Sequence, residues 1–222
     1  MDIKAILSEI KAELPQSTRL VAVSKFHPAE AIKEAYDAGQ RIFGESKVQE
    51  LEDKHTVLPQ DIEWHFIGHL QTNKVKYIAP YISMIHAVDS YKLLAEINKQ
   101  AAKADRIIPC LLEIHIAQEE TKFGFTPEEC TAMLNECSWK ELKNVQICGI
   151  MGMATNTDDD ALIEDEFCKL ETYFNELKST IFKDCDSFRE LSMGMSDDYH
   201  LAIRHGSTFV RIGSKIFGIR NY

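Results

Sequence analysis

The amino-acid sequence predicts an α/β protein that folds as a single (β/α)8 TIM barrel. Short β-branched apolar segments alternate with longer amphipathic ones, and about eight such pairs follow one another along the 222 residues. Strands that alternate with helices favour parallel pairing, because each crossover needs room for a helix. The strands are nearly continuous in apolar residues, which fits a sheet covered on its helix side. A doubly wound open sheet is the structural alternative.

Each predicted strand is a short apolar run bounded by turn or cap residues. The first is the Leu-Val-Ala-Val-Ser-Lys run that ends at Lys25, and the last is the Phe-Val-Arg-Ile-Gly run that ends at Gly213. Such runs are typical of buried parallel strands. In order, the predicted strands cover residues 20–25, 41–44, 63–68, 84–89, 107–116, 145–151, 188–193 and 209–213.

The helices are recognised by their ends. Pro28 begins the first crossover helix and Gly39 ends it, Ser90 is an N-cap, and Thr126-Pro127 begins another helix. Together, the predicted crossover helices cover residues 28–36, 47–55, 72–78, 90–104, 126–137, 160–180 and 196–204.

Residues 1–14 predict one further helix at the N-terminus. Its apolar residues recur at helical spacing and define one face, while charged residues separate them. The uniform composition and the length suit one domain with a full core. We therefore expect a single domain over residues 1–222, with the helix of residues 1–14 packed on the barrel.

Composition and charge narrow the function classes. The formal net charge is -10 at pH 7, and such a surface repels nucleic acid and anionic membranes. The sequence holds no run of about 18 apolar residues and no signal peptide. Its six cysteines are scattered without a C-x-x-C pair, and no Cys/His cluster has the spacing of metal ligands. We expect a cytoplasmic protein with reduced thiols and no metal.

Lys25 is the first candidate functional residue, since it ends the first strand, and working groups in such barrels lie at the C-terminal ends of strands. Partial burial disfavours the ammonium form of a lysine, and a neutral amine can attack an aldehyde to form a Schiff base. The alternative is a lysine that only extends from the strand end into solvent.

The ends of the seventh and eighth strands are candidates for anion binding, because the loops at these positions hold phosphate in many barrels. Gly213 lets the backbone approach an anion closely, and Ser214 offers a hydroxyl and an N–H group. Ser196 precedes the predicted helix of residues 196–204, so it suits either phosphate binding or simple N-capping.

Two further positions carry polar groups in apolar strands. Arg211 lies between Val210 and Ile212 and therefore needs either a carboxylate from a neighbouring strand or a ligand. His65 is expected to be a satisfied core histidine, whereas His69 heads a loop and suits a ligand contact or a cap.

Six motifs taken together resemble one family, the pyridoxal phosphate homeostasis proteins, over residues 20–222. They are Val21-Ala-Val-Ser-Lys25, Phe43-Gly-Glu45, Trp64-His-Phe-Ile-Gly-His-Leu-Gln71, Asn73-Lys74, Leu191-Ser-Met-Gly-Met-Ser196, and Arg211-Ile-Gly213 with Phe217-Gly218. The resemblance implies a barrel like the N-terminal domain of alanine racemase, with pyridoxal 5'-phosphate (PLP) held as an internal aldimine on Lys25.

The resemblance also implies a role for each candidate residue. Ser196, Gly213 and Ser214 would hold the phosphate, Ser192 would lie close to that loop, and Arg211 would face the pyridine nitrogen. An arginine there keeps the ring nitrogen unprotonated and weakens the ring as an electron sink. Where the family commonly has Asn-Tyr, this chain has Ser46-Lys47, and the segment 119–124 resembles a family segment without an assigned role.

The leading functional hypothesis is a carrier or regulator of the PLP pool without robust catalysis, with PLP-dependent apoenzymes as recipients and a monomeric state. Alanine racemases continue into a second domain that supplies a tyrosine base, and we expect none after Tyr222. The main alternative is a weak PLP-dependent amino-acid racemase. A Schiff-base aldolase would be colourless, and a protein-interaction scaffold would bind no aldehyde.

Overall fold

The computed structural model describes residues 2–119 and 121–218. Within them, eight parallel strands close into a barrel in which each strand pairs with the next and β1 pairs with β8. This confirms the predicted fold class and excludes the open sheet. The strands are β1 (Arg19–Val23), β2 (Ile42–Glu45), β3 (Glu63–Phe66), β4 (Met84–Val88), β5 (Ile108–Ile114), β6 (Val145–Gly152), β7 (Glu190–Ser192) and β8 (Phe209–Ile212).

The helices form the outer layer, and none of those described is long and apolar enough to cross a membrane. Two short 3-10 helices cover Thr72–Lys74 and Ser138–Glu141. The α-helices of the described chain are α1 (Ile3–Glu13), α2 (Ala29–Asp37), α3 (Val48–Val57), α4 (Val75–Ile78), α5 (Tyr91–Lys103), α6 (Pro127–Asn135), α7 (Asp160–Ser179), α8 (Tyr199–Arg204) and α9 (Ser214–Phe217).

Caps define several helix starts as the sequence indicates. The Ser90 hydroxyl accepts from the Leu93 N–H at the start of α5. Thr126 and Glu129 form a capping box at α6, in which each side chain satisfies a backbone N–H of the other residue. Helix α1 is amphipathic, and Ile3, Leu7 and Ile10 on its apolar face are buried.

Apolar side chains fill two separate regions. The larger core lies between the strands and the helices, and a smaller cluster fills the barrel interior. At the N-terminal end of the barrel, Arg19 forms an ion pair with Glu190, and its guanidinium lies 3.9 Å from the Phe209 ring centroid. The interior is therefore packed rather than open, as in other barrels of this kind. The interior cluster comprises Val21, Met84, Ala87, Leu111, Cys148, Met151 and Phe209.

Three local predictions differ from the structure. Strand β1 ends at Val23, so Lys25 lies in the loop that follows rather than in the strand. Helix α8 begins at Tyr199 with Asp198 at its N-cap position, so Ser196 is not an N-cap and lies in the preceding turn. The four-residue helix α9, which begins at Ser214, has too little periodic sequence to be recognised.

Candidate functional site

A cavity of about 180 Å³ opens at the C-terminal mouth of the barrel. The structure brings together there five of the six residues singled out in the sequence, and the sixth, Ser192, lies fully buried beneath them. Other concave regions of the described surface lie between outer helices or at the N-terminal end, away from these groups. The cavity is lined by Val23, Lys25, Ile67, Met153, Met195, Ser196, Asp197, Arg211, Gly213 and Ser214.

Lys25 occupies the loop between β1 and α2 and is half-buried at the cavity wall. The preceding residue, Ser24, is fully buried and donates its hydroxyl to Glu45 Oε1 at 2.6 Å. The following residue, Phe26, has a φ of 67°, a left-handed conformation that is uncommon for a bulky side chain. The backbone on both sides of Lys25 is therefore fixed by its surroundings.

Arg211 forms part of the cavity floor and is 4% exposed. Its Nη1 donates to Ser192 Oγ at 2.6 Å and its Nη2 to the Gly152 carbonyl at 3.0 Å. Among the described residues, no carboxylate lies within the 4.0 Å of an ion pair. Burial lowers the pKa of Arg211 to about 10, while Asp198 and Glu113 act in the opposite direction from farther away. The neighbouring-strand carboxylate that could have been its partner is thus not in contact.

A chain of buried polar groups supports Arg211 from below. His65 Nδ1 lies 2.9 Å from His86 Nε2, and His86 Nδ1 lies 3.0 Å from Ser192 Oγ. Burial lowers the pKa of His65 to about 3 and that of His86 well below its ordinary value, so both rings are neutral at physiological pH. The predicted core role of His65 fits this arrangement, and Ser192 contacts Arg211 rather than the loop after β7.

The loops after β7 and β8 meet at the opposite side of the cavity. Ser196 Oγ accepts from the Gly213 N–H at 3.2 Å, which joins the two loops directly. Gly213 is required there, because a Cβ at this position would lie 2.9 Å from the Val23 carbonyl oxygen. Gly194 has a φ of 93°, and a Cβ on it would lie 2.6 Å from the Ala202 Cβ. Backbone N–H groups and two serine hydroxyls therefore border this side.

Glu113 is a buried carboxyl that the sequence analysis missed. It is 4% exposed, and its Oε2 has no hydrogen-bond partner among the described residues. Burial raises the pKa of Glu113 to about 7, and the nearby Asp89 raises it further while Arg211 lowers it. Its signal was a single charged residue inside the apolar run that forms β5.

At the rim, the His69 ring stacks on Phe123 with centroids 3.9 Å apart, and its Nδ1 lies 2.9 Å from Asp89 Oδ2. The described residues contain no group of three or more His, Cys, Asp or Glu side chains that could hold a metal ion. His69 therefore contributes a packed and hydrogen-bonded rim contact.

Comparison with known proteins assigns the chain to a family. Residues 2–221 match the model described as alanine racemase, N-terminal domain. The pyridoxal phosphate homeostasis protein of Synechocystis sp. is 39% identical over 221 residues, which cover 97% of this chain and 98% of that protein. The corresponding protein of Aquifex aeolicus is 38% identical over 205 residues, 92% of this chain and 88% of its own.

Solved structures agree with this assignment. PipY of Synechococcus elongatus PCC7942, whose structures were solved without and with PLP bound, is 37% identical and superposes with TM-scores of 0.90 and 0.88; the match covers 97% of this chain and 100% of PipY. Alanine racemase from Bartonella henselae is only 16% identical, with a TM-score of 0.74 over 99% of this chain and 59% of the racemase, and shares the fold. The chain therefore belongs to the alanine racemase N-terminal domain family, as one of its pyridoxal phosphate homeostasis proteins.

Proposed function

We propose that this chain binds PLP covalently through Lys25 and acts as a carrier or regulator of the PLP pool. The carrying observation is the cavity that unites a lysine amine, an arginine without a contacting carboxylate, and the loops after β7 and β8. The relatives that are named for PLP homeostasis, and PipY with PLP bound, support the same ligand.

The donor set at the cavity fits each part of PLP. Lys25 offers an amine for the aldehyde, and the loops that meet at the Ser196–Gly213 contact offer N–H and hydroxyl groups for the phosphate. Arg211 is held with its guanidinium at the floor, where it suits a ring nitrogen that accepts a hydrogen bond. When bound, PLP supplies a reactive aldehyde and an electron-withdrawing ring.

We propose that Lys25 forms the covalent bond and that Ser196, Gly213 and Ser214 hold the phosphate. Arg211 donates to the ring nitrogen and prevents its protonation, because an arginine does not release its proton at physiological pH. Ser192 contributes through Arg211, since its hydroxyl accepts from the guanidinium and does not line the cavity. Ser46-Lys47 and the segment 119–124 take no part in this assignment.

We propose a carrier rather than an enzyme for two reasons. A ring nitrogen kept unprotonated stabilises carbanions poorly. A racemase also needs acid/base groups on both faces of the substrate α-carbon. Besides Lys25 and Arg211, the described cavity lining contains one titratable side chain, the exposed Asp197. Asp197 is the only lining group that favours the weak racemase, and a racemisation assay on the Asp197→Asn variant addresses it.

The central experiment is absorption spectroscopy of the purified protein before and after borohydride, followed by peptide mapping. We expect a violet band that disappears on reduction and a pyridoxyl-phosphate adduct on Lys25. Lys25→Ala is expected to lose the band, and Lys33→Ala, at an exposed lysine paired with Asp37, is expected to keep it. A colourless protein that stays unmodified after PLP is added would overturn the proposal. Turnover of any amino acid at about 1 per second or faster would favour an enzyme.

Three further features complete the proposal: one domain over residues 1–222, a monomeric state, and transfer of PLP to PLP-dependent apoenzymes in the cytoplasm. The monomer is supported by a closed barrel without edge strands and by exposed large apolar side chains that lie on different elements. All six cysteines are free thiols, as expected in a reducing compartment. Light scattering tests the monomer, and reactivation of a PLP-free aminotransferase tests the transfer.

A further inference from the structure

A buried charged cluster lies behind the cavity, outside the barrel, where α3 packs on the loop after β1. Its members are Glu45 at the end of β2 and Glu50 and Lys54 on α3, and it is called the Lys54 cluster below. Lys54 Nζ donates to Glu45 Oε1 and to Glu50 Oε1, both at 2.7 Å, and Lys54 is only 6% exposed. None of the three residues lines the cavity.

The Lys54 cluster contacts the chain on both sides of Lys25. On the N-terminal side, the Ser24 carbonyl accepts from Lys54 Nζ at 2.8 Å, and the Ser24 hydroxyl donates to Glu45. On the C-terminal side, the Phe26 N–H donates to Glu50 Oε1 at 2.5 Å. Three charged side chains thus fix the two residues adjacent to Lys25 without touching the cavity.

The backbone conformation at Phe26 indicates what these contacts oppose. A left-handed φ of 67° is unfavourable for a residue with a large side chain, and such strain persists only where the surroundings over-determine it. The hydrogen bond from Phe26 N–H to Glu50 holds the chain in that conformation. A relaxed loop would change the direction in which the Lys25 side chain leaves the backbone.

Stability alone does not account for the cluster. Buried ion pairs lose hydration, and well-packed apolar residues of similar volume often serve stability equally well. Glu45 is fully buried, its Oε2 has no partner among the described residues, and burial raises its pKa to about 7. The arrangement instead gives fixed geometry, because each charge directs a hydrogen bond to a specific backbone or hydroxyl group.

We propose that Lys54, acting through Glu45 and Glu50, is a positioning residue for Lys25 and sets the rate at which Lys25 exchanges bound PLP with other amines. This inference rests on the proposed covalent binding of PLP to Lys25. The cluster keeps the Lys25 amine aligned with the cavity, so that it recaptures the aldehyde faster than a competing nucleophile does. A looser loop would release PLP more readily.

The test measures the rate at which hydroxylamine removes the violet band from PLP-loaded protein. Lys54→Met and Glu50→Ala are expected to lose the band roughly tenfold faster than wild type, since each removes a hydrogen bond to a charged group. Glu50→Gln is expected to restore nearly the wild-type rate, because its amide oxygen can still accept from Phe26 N–H. Lys33→Met is the matched control, as it breaks an exposed pair on α2 that does not touch the loop.

The outcomes separate the two proposals. A wild-type protein without the band or the Lys25 adduct overturns the proposed PLP binding and this inference with it. A wild-type band with equal hydroxylamine rates in all folded variants overturns the positioning role alone. If Lys54→Met does not unfold cooperatively, the comparison of Glu50→Ala with Glu50→Gln decides, because the Glu50 side chain is 21% exposed and its truncation leaves the buried Lys54–Glu45 pair in place.

Discussion

Arg211 Nη1 donates to the Ser192 hydroxyl oxygen at 2.6 Å, and this contact joins the cavity floor to the buried histidine pair. The guanidinium is directed by a hydroxyl and a carbonyl instead of a carboxylate. Its charge is therefore not neutralised by a contact partner within the described chain, and it is available to a ligand that accepts hydrogen bonds.

Replacing Arg211 with methionine is expected to weaken PLP binding roughly ten- to hundredfold, the range for losing a hydrogen bond to a charged group. The cofactor-free variant should lose little unfolding free energy, because a buried charge without a close partner is itself unfavourable. Fluorescence titration and urea denaturation measure the two quantities. Arg189→Met is the control, since that side chain is 73% exposed. Equal PLP affinity in wild type and Arg211→Met would remove Arg211 from the site.

Ser196→Ala is expected to weaken PLP binding by about 1 kcal/mol, the usual value for one hydrogen bond. The variant loses the contact that ties the loop after β7 to Gly213. The same change should leave pyridoxal binding nearly unaltered, because pyridoxal lacks the phosphate. Titration with both ligands is the measurement, and Ser179→Ala on α7 is the control. A loss of equal size for both ligands would place Ser196 away from the phosphate.

Gly194→Ala is expected to destabilise the fold more than Gly39→Ala. Both glycines have a left-handed φ, 93° and 88°, so both substitutions add a conformational cost of about 1 kcal/mol or more. Only at Gly194 does the new Cβ meet another atom closer than 3.0 Å, the Ala202 Cβ on α8. Urea denaturation of both variants gives the difference. Similar losses would show that α8 shifts without resistance.

Glu113→Gln is expected to change how stability depends on pH. Burial raises the pKa of Glu113 to about 7 from an ordinary value of 4.5, so the folded state binds the proton more tightly than the unfolded state does. The contribution of Glu113 to stability is present below pH 4.5 and is lost as the pH rises through 7. The wild-type advantage over Glu113→Gln should fall by on the order of 3 kcal/mol across this window. A constant difference from pH 4.5 to 7.5 would show that the Glu113 pKa is not raised.

Tyr199→Phe is expected to lower the unfolding free energy by about 1 kcal/mol. The Tyr199 hydroxyl donates to Glu13 of α1 and accepts from Lys215 of α9 at 2.7 Å, so it ties the N-terminal helix to the end of the barrel. Burial raises the pKa of Tyr199, which keeps the hydroxyl protonated and able to donate. Tyr77→Phe on the exposed surface of α4 is the control. No difference between the two variants would show that the link is not stabilising.

The sequence identifies most of the framework because the framework depends on local patterns. Apolar runs define the strands, and caps such as Ser90 and Thr126 define helix starts. Lys25 and Arg211 are recognisable since a strand end and an apolar strand are unusual places for their charges. The predicted Ser196 cap was wrong because the chain turns once more before α8 begins.

The parts that escaped prediction depend on contacts between distant segments. Glu50 and Lys54 are four residues apart on a helix, a spacing that usually indicates an exposed ion pair. Only the packing of α3 against the loop after β1 buries Lys54. His86 likewise gains its meaning from the closed barrel, which brings it to Ser192, a residue 106 positions away.

The buried charge of Arg211 and the formal net charge of -10 act over different distances. In physiological salt, the repulsion that the acidic surface exerts on an anion fades over about 8 Å. The guanidinium lies in a poorly hydrated floor, where salt screens it much less. Added salt should therefore speed the encounter with a phosphorylated ligand while weakening the final complex only slightly. The barrel selects anions by proximity, repelling them from its outer surface and attracting only those that enter its mouth.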